Sequence, residues 1–220
     1  LTLRPMYAEA RLNLGTVLKR QGRIAEAVIE YEQALSANPS YAEAHSNLGN
    51  AFLEIGKMEA AIACYQRALE LKPDYVAAHS NLGGALKGQG KLEEAMACYR
   101  RALAMNPGDA AVHSNMLFVM CYSPASTVET VATAHREWND RHARPLASQI
   151  RPHNNDRTPE RRLRVGYVSA DLWGHAVGHF VEPLFANHNR TNVMVFAYSN
   201  GVYVDATTKR LRELTDEWRD

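Results

Sequence analysis

The fold of the first half of the chain is decided by the stretch NLGNAFLEIGKMEAAIACYQRALELKP, residues 47–73, because its key residues recur before and after it at a constant distance. Prolines occur at positions 5, 39, 73 and 107, spaced by 34 residues. The other positions that recur in phase are Asn-Leu-Gly at 13–15, 47–49 and 81–83, Ala27, Ala61 and Ala95, Tyr31, Tyr65 and Tyr99, and Ala34, Ala68 and Ala102. A period of this length indicates a helical repeat array.

The repeated residues match the tetratricopeptide pattern of two antiparallel helices per unit. We therefore predict an all-α superhelix with complete units at residues 8–41, 42–75 and 76–109. Residues 1–7 align with the ends of later units and are expected to be the tail of a preceding repeat, and residues 110–160 are expected to be a modified helical repeat and a basic linker. In that segment, residues 127–143 are predicted to form the modified partner helix.

The last part of the chain, residues 161–220, changes period. Residues 163–169 and 193–198 are short apolar runs typical of buried parallel strands. Asp171 is expected to cap the helix that follows the first run, and Pro183 to kink that helix or end it early. A second helix at 205–214 and a strand at Trp218 complete an order typical of a doubly wound, Rossmann-like α/β domain. Two strands and two helices are too few to close such a sheet, so we expect the domain to be incomplete here.

Composition narrows the functional classes. The 220 residues include 25 Lys plus Arg and 24 Asp plus Glu, so the formal net charge of +1 gives no support for nucleic acid or an anionic membrane as a partner. No apolar run is long enough to cross a membrane. Three cysteines argue against a disulfide scaffold and favour a reducing, cytoplasmic location.

Two sets of residues are candidate sites. Asn13, Asn47, Asn81 and Asn115 share one repeat position and would line the concave surface, where amide side chains can pair with a peptide backbone in both senses. The same asparagines also occur in this repeat type whatever it binds. His45, His79 and His113, and likewise Cys64 and Cys98, share phases that packing alone would explain.

The second set follows the first predicted strand, where ligands of open α/β sheets bind. It contains Ser169, Asp171, Gly174 and His175. His175 could act as a general base or a hydrogen-bond donor, or could merely cap the helix. His179 and Glu182 share its helix face, but zinc-protease spacing is absent and we predict no metal site. The glycine spacing does not fit a nicotinamide or flavin cofactor.

The joined features resemble the Spindly-type, O-linked N-acetylglucosamine transferases. The segments that carry the resemblance are the three NLG repeats, HSNMLFVMCYSP at 113–124, AHREW at 134–138 and LRVGYVSADLWGHAVGHF at 163–180. The resemblance implies a GT-B glycosyltransferase that moves a sugar, N-acetylglucosamine from UDP-GlcNAc or fucose from its GDP form, to Ser or Thr of proteins. It also implies that His175 is the active-site histidine, although Ala176-Val177 replaces the family's usual Pro-Thr.

We therefore expect the N-terminal portion of such an enzyme, with acceptor proteins held by the repeats and the nucleotide sugar as a donor substrate rather than a cofactor. The 220 residues alone are expected to be inactive, since the family binds its donor mainly through a second lobe. The alternative is a non-catalytic tetratricopeptide-repeat scaffold for protein–protein interaction.

Overall fold

The structure is a computed structural model that describes residues 5–152 and 157–220. It divides into two compact units, residues 1–151 and 152–220, which are treated separately below. Parts of the expected N-terminal tail, residues 1–4, and of the expected linker, residues 153–156, lie outside the described residues.

The first unit is a series of antiparallel helix pairs. The pairs are α1 (Pro5–Arg20) with α2 (Ile24–Ala37), α3 (Ala42–Glu54) with α4 (Met58–Leu71), α5 (Val76–Gly88) with α6 (Leu92–Met105), and α7 (Ala110–Tyr122) with α8 (Val128–Trp138). Helix α1 begins at Pro5, so residues 5–7 extend the first helix, whereas α3 and α5 begin after the corresponding turns. The predicted all-α repeat architecture is confirmed.

In each of the first three helix pairs, the two helices meet at a glycine and a buried tyrosine. Tyr31, Tyr65 and Tyr99 are completely buried. A Cβ atom on Gly49 would lie 2.6 Å from Cε1 of Tyr65, and Gly15 and Gly83 stand in the same relation to the other two tyrosines. The absence of a side chain at this position therefore lets the paired helices approach closely enough to bury the tyrosine ring.

The fourth pair departs from the repeat after α8. Thr127 caps α8 through a reciprocal pair of hydrogen bonds with Thr130. The chain then continues as a π-helical turn, Asn139–Ala143, and a 3₁₀ segment, Arg144–Gln149. The predicted helical segment at 127–143 is therefore helical, with a change of hydrogen-bonding pattern near its end.

The second unit is a parallel sheet in the order β1-β2-β3, formed by β1 (Leu163–Ser169), β2 (Val193–Ser199) and β3 (Glu217–Arg219). Helices α9 (Ala176–Asn187) and α10 (Ala206–Glu213) follow the first two strands. They pack on one face of the sheet, and their shared core is Leu172, Phe185, Val195, Ala197 and Leu211. The predicted β-α-β-α order and the third strand at Trp218 are confirmed.

Strand β1 is not the buried strand that the sequence predicted. Leu163 is 46% exposed and Val168 is 76% exposed, while the centre of β2 is fully buried. Among the described residues β1 pairs only with β2, and the face of β1 that carries Val168 is opposite the two helices. On that face the guanidinium of Arg164 lies 4.6 Å from the ring centroid of Phe196, so arginine stacking covers part of the apolar surface.

The predicted cap of α9 was wrong, and one of the two predicted effects of Pro183, an early end of the helix, is not seen. Asp171 does not cap the helix, because the helix begins at Ala176 and its N-cap residue is His175. Pro183 does not end the helix, which continues to Asn187. Proline removes one backbone donor there, and the burial of Phe185 against the sheet offsets that loss.

Candidate functional site

The loops that leave β1 and β2 lie side by side at the carboxyl edge of the sheet. The strands are parallel and their last residues, Ser169 and Ser199, are paired, so both strands end at the same edge of the sheet. Each serine hydroxyl accepts a hydrogen bond from the backbone N–H two residues later, that of Asp171 at 3.0 Å and that of Gly201 at 3.4 Å. This is the edge at which open α/β sheets bind ligands.

His175 is the N-cap residue of α9. Its Nδ1 accepts a hydrogen bond from the backbone N–H of Val177 at 3.3 Å, and the residue is exposed. An imidazole that accepts at Nδ1 carries its proton on Nε2 when it is neutral. The capping alternative is therefore what the geometry shows, and the same bond leaves an outward-facing Nε2–H donor.

One aromatic residue, Trp173, lies beside this histidine and in turn contacts Tyr203. The ring of Trp173 lies 5.6 Å from that of His175 and 5.0 Å from that of Tyr203, measured between centroids. The backbone N–H of His175 also donates to the Trp173 carbonyl at 2.6 Å. Trp173 thus bridges the histidine to the second loop, a contact that our sequence reasoning missed.

Asp205 ties the two loops together. Its Oδ2 accepts a hydrogen bond from the backbone N–H of Gly174 at 2.7 Å, and its Oδ1 accepts from the backbone N–H of Thr208 at 2.9 Å. Both hydrogen bonds lower the pKa of the Asp205 carboxyl, and the bond from the Thr208 N–H has the larger effect. Sequence analysis placed Asp205 only at the start of a helix. The spacing Asp-x-x-Thr signals the cap, but nothing local signals Gly174.

The structure therefore brings Ser169, Asp171, Gly174 and His175 into one loop. Glu182, which shares the helix with His179, forms an ion pair with Arg210 at 2.9 Å. That contact, chiefly through its hydrogen bond, lowers the pKa of Glu182. Within residues 5–152 and 157–220, no group of three or more His, Cys, Asp or Glu side chains is arranged to hold a metal ion.

The four asparagines occupy corresponding positions on the first helices of the four pairs. Asn13 and Asn115 are exposed, and Asn47 and Asn81 are half-buried. Consecutive first helices contact one another, so the asparagines follow one surface of the array. A groove of about 510 Å³ lies beside Asn81, between α5 and α7, and is lined also by Tyr75, Ser80 and Val112.

The asparagines differ in how far their amides are already used. Asn81 Nδ2 donates to Asn50 Oδ1 at 2.9 Å, and the same oxygen accepts from the hydroxyl of Tyr65 at 2.7 Å. The residues that correspond to Asn50 before Asn47 and Asn115 are Thr16 and Gly84, which lack an amide oxygen in the side chain. Asn81 is thereby oriented by its neighbouring repeat.

The repeated histidines and cysteines have packing roles. Nε2 of His45 and Nε2 of His79 lie 3.0 and 2.9 Å from the carbonyl oxygens of Pro39 and Pro73, in the same relation one repeat apart. Cys64 is half-buried, and burial raises the pKa of its thiol to about 11, so it is a protonated packing residue at neutral pH.

Comparison with known proteins agrees with this architecture. Residues 15–56 and 49–90 match a TPR repeat family, and residues 76–109 match the tetratricopeptide repeat. Residues 111–218 match the family described as glycosyl transferase family 41. That segment belongs to glycosyl transferase family 41. The join between repeats and family 41 segment lies in α7, which the sequence analysis treated as a modified repeat.

Relatives of this family match parts of the chain. A probable UDP-N-acetylglucosamine–peptide N-acetylglucosaminyltransferase SPINDLY from Solanum lycopersicum is 38% identical over 108 residues, which are 47% of this chain and 12% of that protein. The SEC protein of Arabidopsis thaliana, which bears the same probable activity in its name, is 49% identical over 39 residues, 18% of this chain and 4% of its own length.

A solved O-GlcNAc transferase matches almost the whole chain. A mutant O-GlcNAc transferase from Thermobaculum terrenum superposes with a TM-score of 0.81 at 33% identity, covering 98% of this chain and 41% of that one. The chain therefore spans less than half of that transferase. No helix in the described ranges is both long and apolar enough to cross a membrane.

Proposed function

We propose that this chain is the acceptor-binding and first catalytic part of a protein O-glycosyltransferase. In this proposal, N-acetylglucosamine moves from UDP-N-acetylglucosamine to a Ser or Thr hydroxyl of an acceptor protein. The observation that carries it is the union, in one chain, of a repeat array with a family 41 segment whose first loop presents His175. The nucleotide sugar is a substrate, and the proposal needs no metal ion or organic cofactor.

His175 serves this reaction as a hydrogen-bond donor. In the transfer, the acceptor oxygen forms the new bond to the sugar and gives up its proton, while the bond between sugar and diphosphate breaks. The nucleoside diphosphate leaves with the bonding electron pair and can take up that proton. Nδ1 is occupied by the N–H of Val177, so the neutral ring offers Nε2–H to an oxygen on which charge develops. A general base would need the opposite arrangement, with a free acceptor nitrogen outward.

The repeats supply the acceptor site. An extended peptide along the first helices would meet asparagine amides at each repeat, and each amide can donate to a peptide carbonyl and accept from a peptide N–H. Such pairing involves the peptide backbone and is tolerant of side-chain sequence. The open groove beside Asn81 offers room for the acceptor peptide.

The test is a transfer assay on the natural protein that carries this chain, with radiolabelled UDP-N-acetylglucosamine and Ser/Thr peptides. GDP-fucose in parallel tests the other donor. Incorporation from UDP-N-acetylglucosamine that stops when each acceptor Ser or Thr is changed to Ala supports the proposal. Tight peptide binding with no incorporation from either donor would contradict it and favour a repeat scaffold for protein–protein interaction. The predicted cytoplasmic location remains a prediction.

A further inference from the structure

The loop before His175 is held from outside by a single charged side chain. Asp205 divides its carboxylate between two elements, with Oδ1 on the N-terminus of α10 and Oδ2 on the Gly174 N–H. Gly174 is adjacent to His175 in sequence, whereas Asp205 lies 31 positions after Gly174. A bond from a backbone N–H to an ionised carboxylate is charge-assisted and stronger than a neutral one.

The close fit of the two loops shows that this contact is built into them. A Cβ atom on Gly174 would lie 2.7 Å from Asp205 Oδ2, so a side chain there would displace the carboxylate from its present position. A Cβ atom on Gly201, in the second loop, would overlap the carbonyl oxygen of Ala170 in the first. The loops also meet through the rings of Trp173 and Tyr203, and Asp205 supplies a polar contact between them.

We propose that Asp205 is the positioning residue of His175, acting through the Gly174 N–H. The carboxylate holds the residue before the histidine, and the Trp173 carbonyl holds the N–H of the histidine itself. Together these contacts fix the backbone from which the imidazole reaches back to the Val177 N–H. The outward Nε2–H donor thus depends on a residue of the next strand's loop. This inference builds on the donor role proposed for His175.

Nuclear magnetic resonance of the ¹⁵N-labelled 220-residue chain tests the contact directly. The main variant is Asp205→Ser, because a serine hydroxyl can still cap α10 but has no second oxygen for Gly174. We expect hydrogen exchange of the Gly174 amide to accelerate about tenfold or more, since that amide loses its acceptor. We also expect the ¹⁵N shifts of the His175 ring to move from the Nε2–H pattern toward a mixture of tautomers.

Thr208→Val is the matched control. It removes the hydroxyl that accepts from the Asp205 N–H and donates to Asp205 Oδ1, both at 3.2 Å, whereas the bond from the Gly174 N–H to Oδ2 and the bond from the Thr208 N–H to Oδ1 remain. We expect it to weaken α10 while the Gly174 amide and the His175 ring stay as in the wild type. Unchanged Gly174 exchange and ring shifts in Asp205→Ser would overturn the proposal, as would equal changes in both variants.

A fallback variant, and a readout that does not depend on sugar transfer, complete the test. If Asp205→Ser does not fold, Asp205→Asn is used with the same readouts, because an oxygen turned to Thr208 then places an amide N–H₂ against the Gly174 donor. The ring shifts require no sugar transfer. If the ring responds but the natural protein that carries this chain transfers no sugar, the positioning role is supported and only the proposed function is contradicted.

Discussion

The two ring nitrogens of His175 meet different surroundings, and this difference decides what the residue can do. Nδ1 points back to the helix and accepts from the Val177 N–H, while the ring is exposed at the edge of the sheet. A residue that only caps would be replaceable by any good N-cap side chain. A residue that also donates from Nε2 would not be.

A pair of substitutions separates capping from chemistry at this residue. His175→Ala removes the cap and should lower the unfolding free energy of the second unit by about 1 kcal/mol, whereas His175→Asn supplies a side-chain oxygen and should recover most of it. Urea denaturation checks this. In the transfer assay both variants should lose most turnover and retain peptide binding. Normal turnover in His175→Asn would leave the histidine only its capping role.

Two adjacent glycines in a helix pair, Gly83 and Gly84, differ in whether the packing leaves room for a side chain. In α5, a Cβ atom on Gly83 would lie 2.9 Å from Cε1 of the buried Tyr99. The nearest atom to a Cβ on Gly84 is the Tyr99 hydroxyl oxygen at 3.8 Å, an ordinary contact. The close approach within the pair thus depends on the first glycine alone.

Alanine at these adjacent glycines should have opposite effects on stability. We expect Gly83→Ala to cost about 1–3 kcal/mol through overpacking against the tyrosine. Gly84→Ala should add up to about 1 kcal/mol, because alanine favours the helix more than glycine does. Thermal and urea unfolding of the two variants measure this. A loss of stability in both would show that the second position is also closely packed.

Helix α7 contacts the π-helical turn through a pair of histidines. Nδ1 of His113 lies 3.1 Å from Nε2 of His142. Burial lowers the pKa of His113, and the charges of His142 and Arg141 lower it further, while Glu137 acts in the opposite sense. A histidine with a depressed folded pKa binds its proton more readily in the unfolded chain.

The first unit should therefore lose stability as the pH falls. The contribution is complete above the unfolded pKa of about 6.5 and declines as the pH passes below it toward the lower folded pKa. Urea midpoints at pH 7.5 and 5.5 check this, and His113→Gln should reduce the difference between them. An equal difference in wild type and variant would place the pH dependence elsewhere.

At the scale of the whole molecule, the repeat array and the family 41 segment contribute different parts of one proposed reaction. The array offers asparagines at four successive repeats, and the second unit offers the His175 loop on a three-stranded sheet. Only part of the length of a family 41 transferase is represented. Peptide binding is accordingly a property we expect of the chain by itself.

Changing Asn13, Asn47, Asn81 and Asn115 together to Ala should weaken binding of unrelated Ser/Thr-rich peptides by about tenfold or more, since each lost hydrogen bond contributes about 0.5–1.5 kcal/mol. Fluorescence anisotropy with labelled peptides measures the affinity. The control changes Asn38 and Asn106, which lie at the turns between repeats, and should leave affinity unchanged. Equal affinity in the fourfold variant would remove the asparagines from the acceptor site.

The sequence by itself determined the repeat architecture and the location of the loop that contains His175. A period of 34 residues and alternating strands and helices are local patterns, and local patterns survive without knowledge of distant contacts. Only the tertiary structure decided which nitrogen of His175 faces outward, that Asp205 holds Gly174, and that β1 is exposed. The Asp205 contact joins residues 31 positions apart, and the exposure of β1 depends on what covers it, so neither is encoded in the spacing of nearby residues.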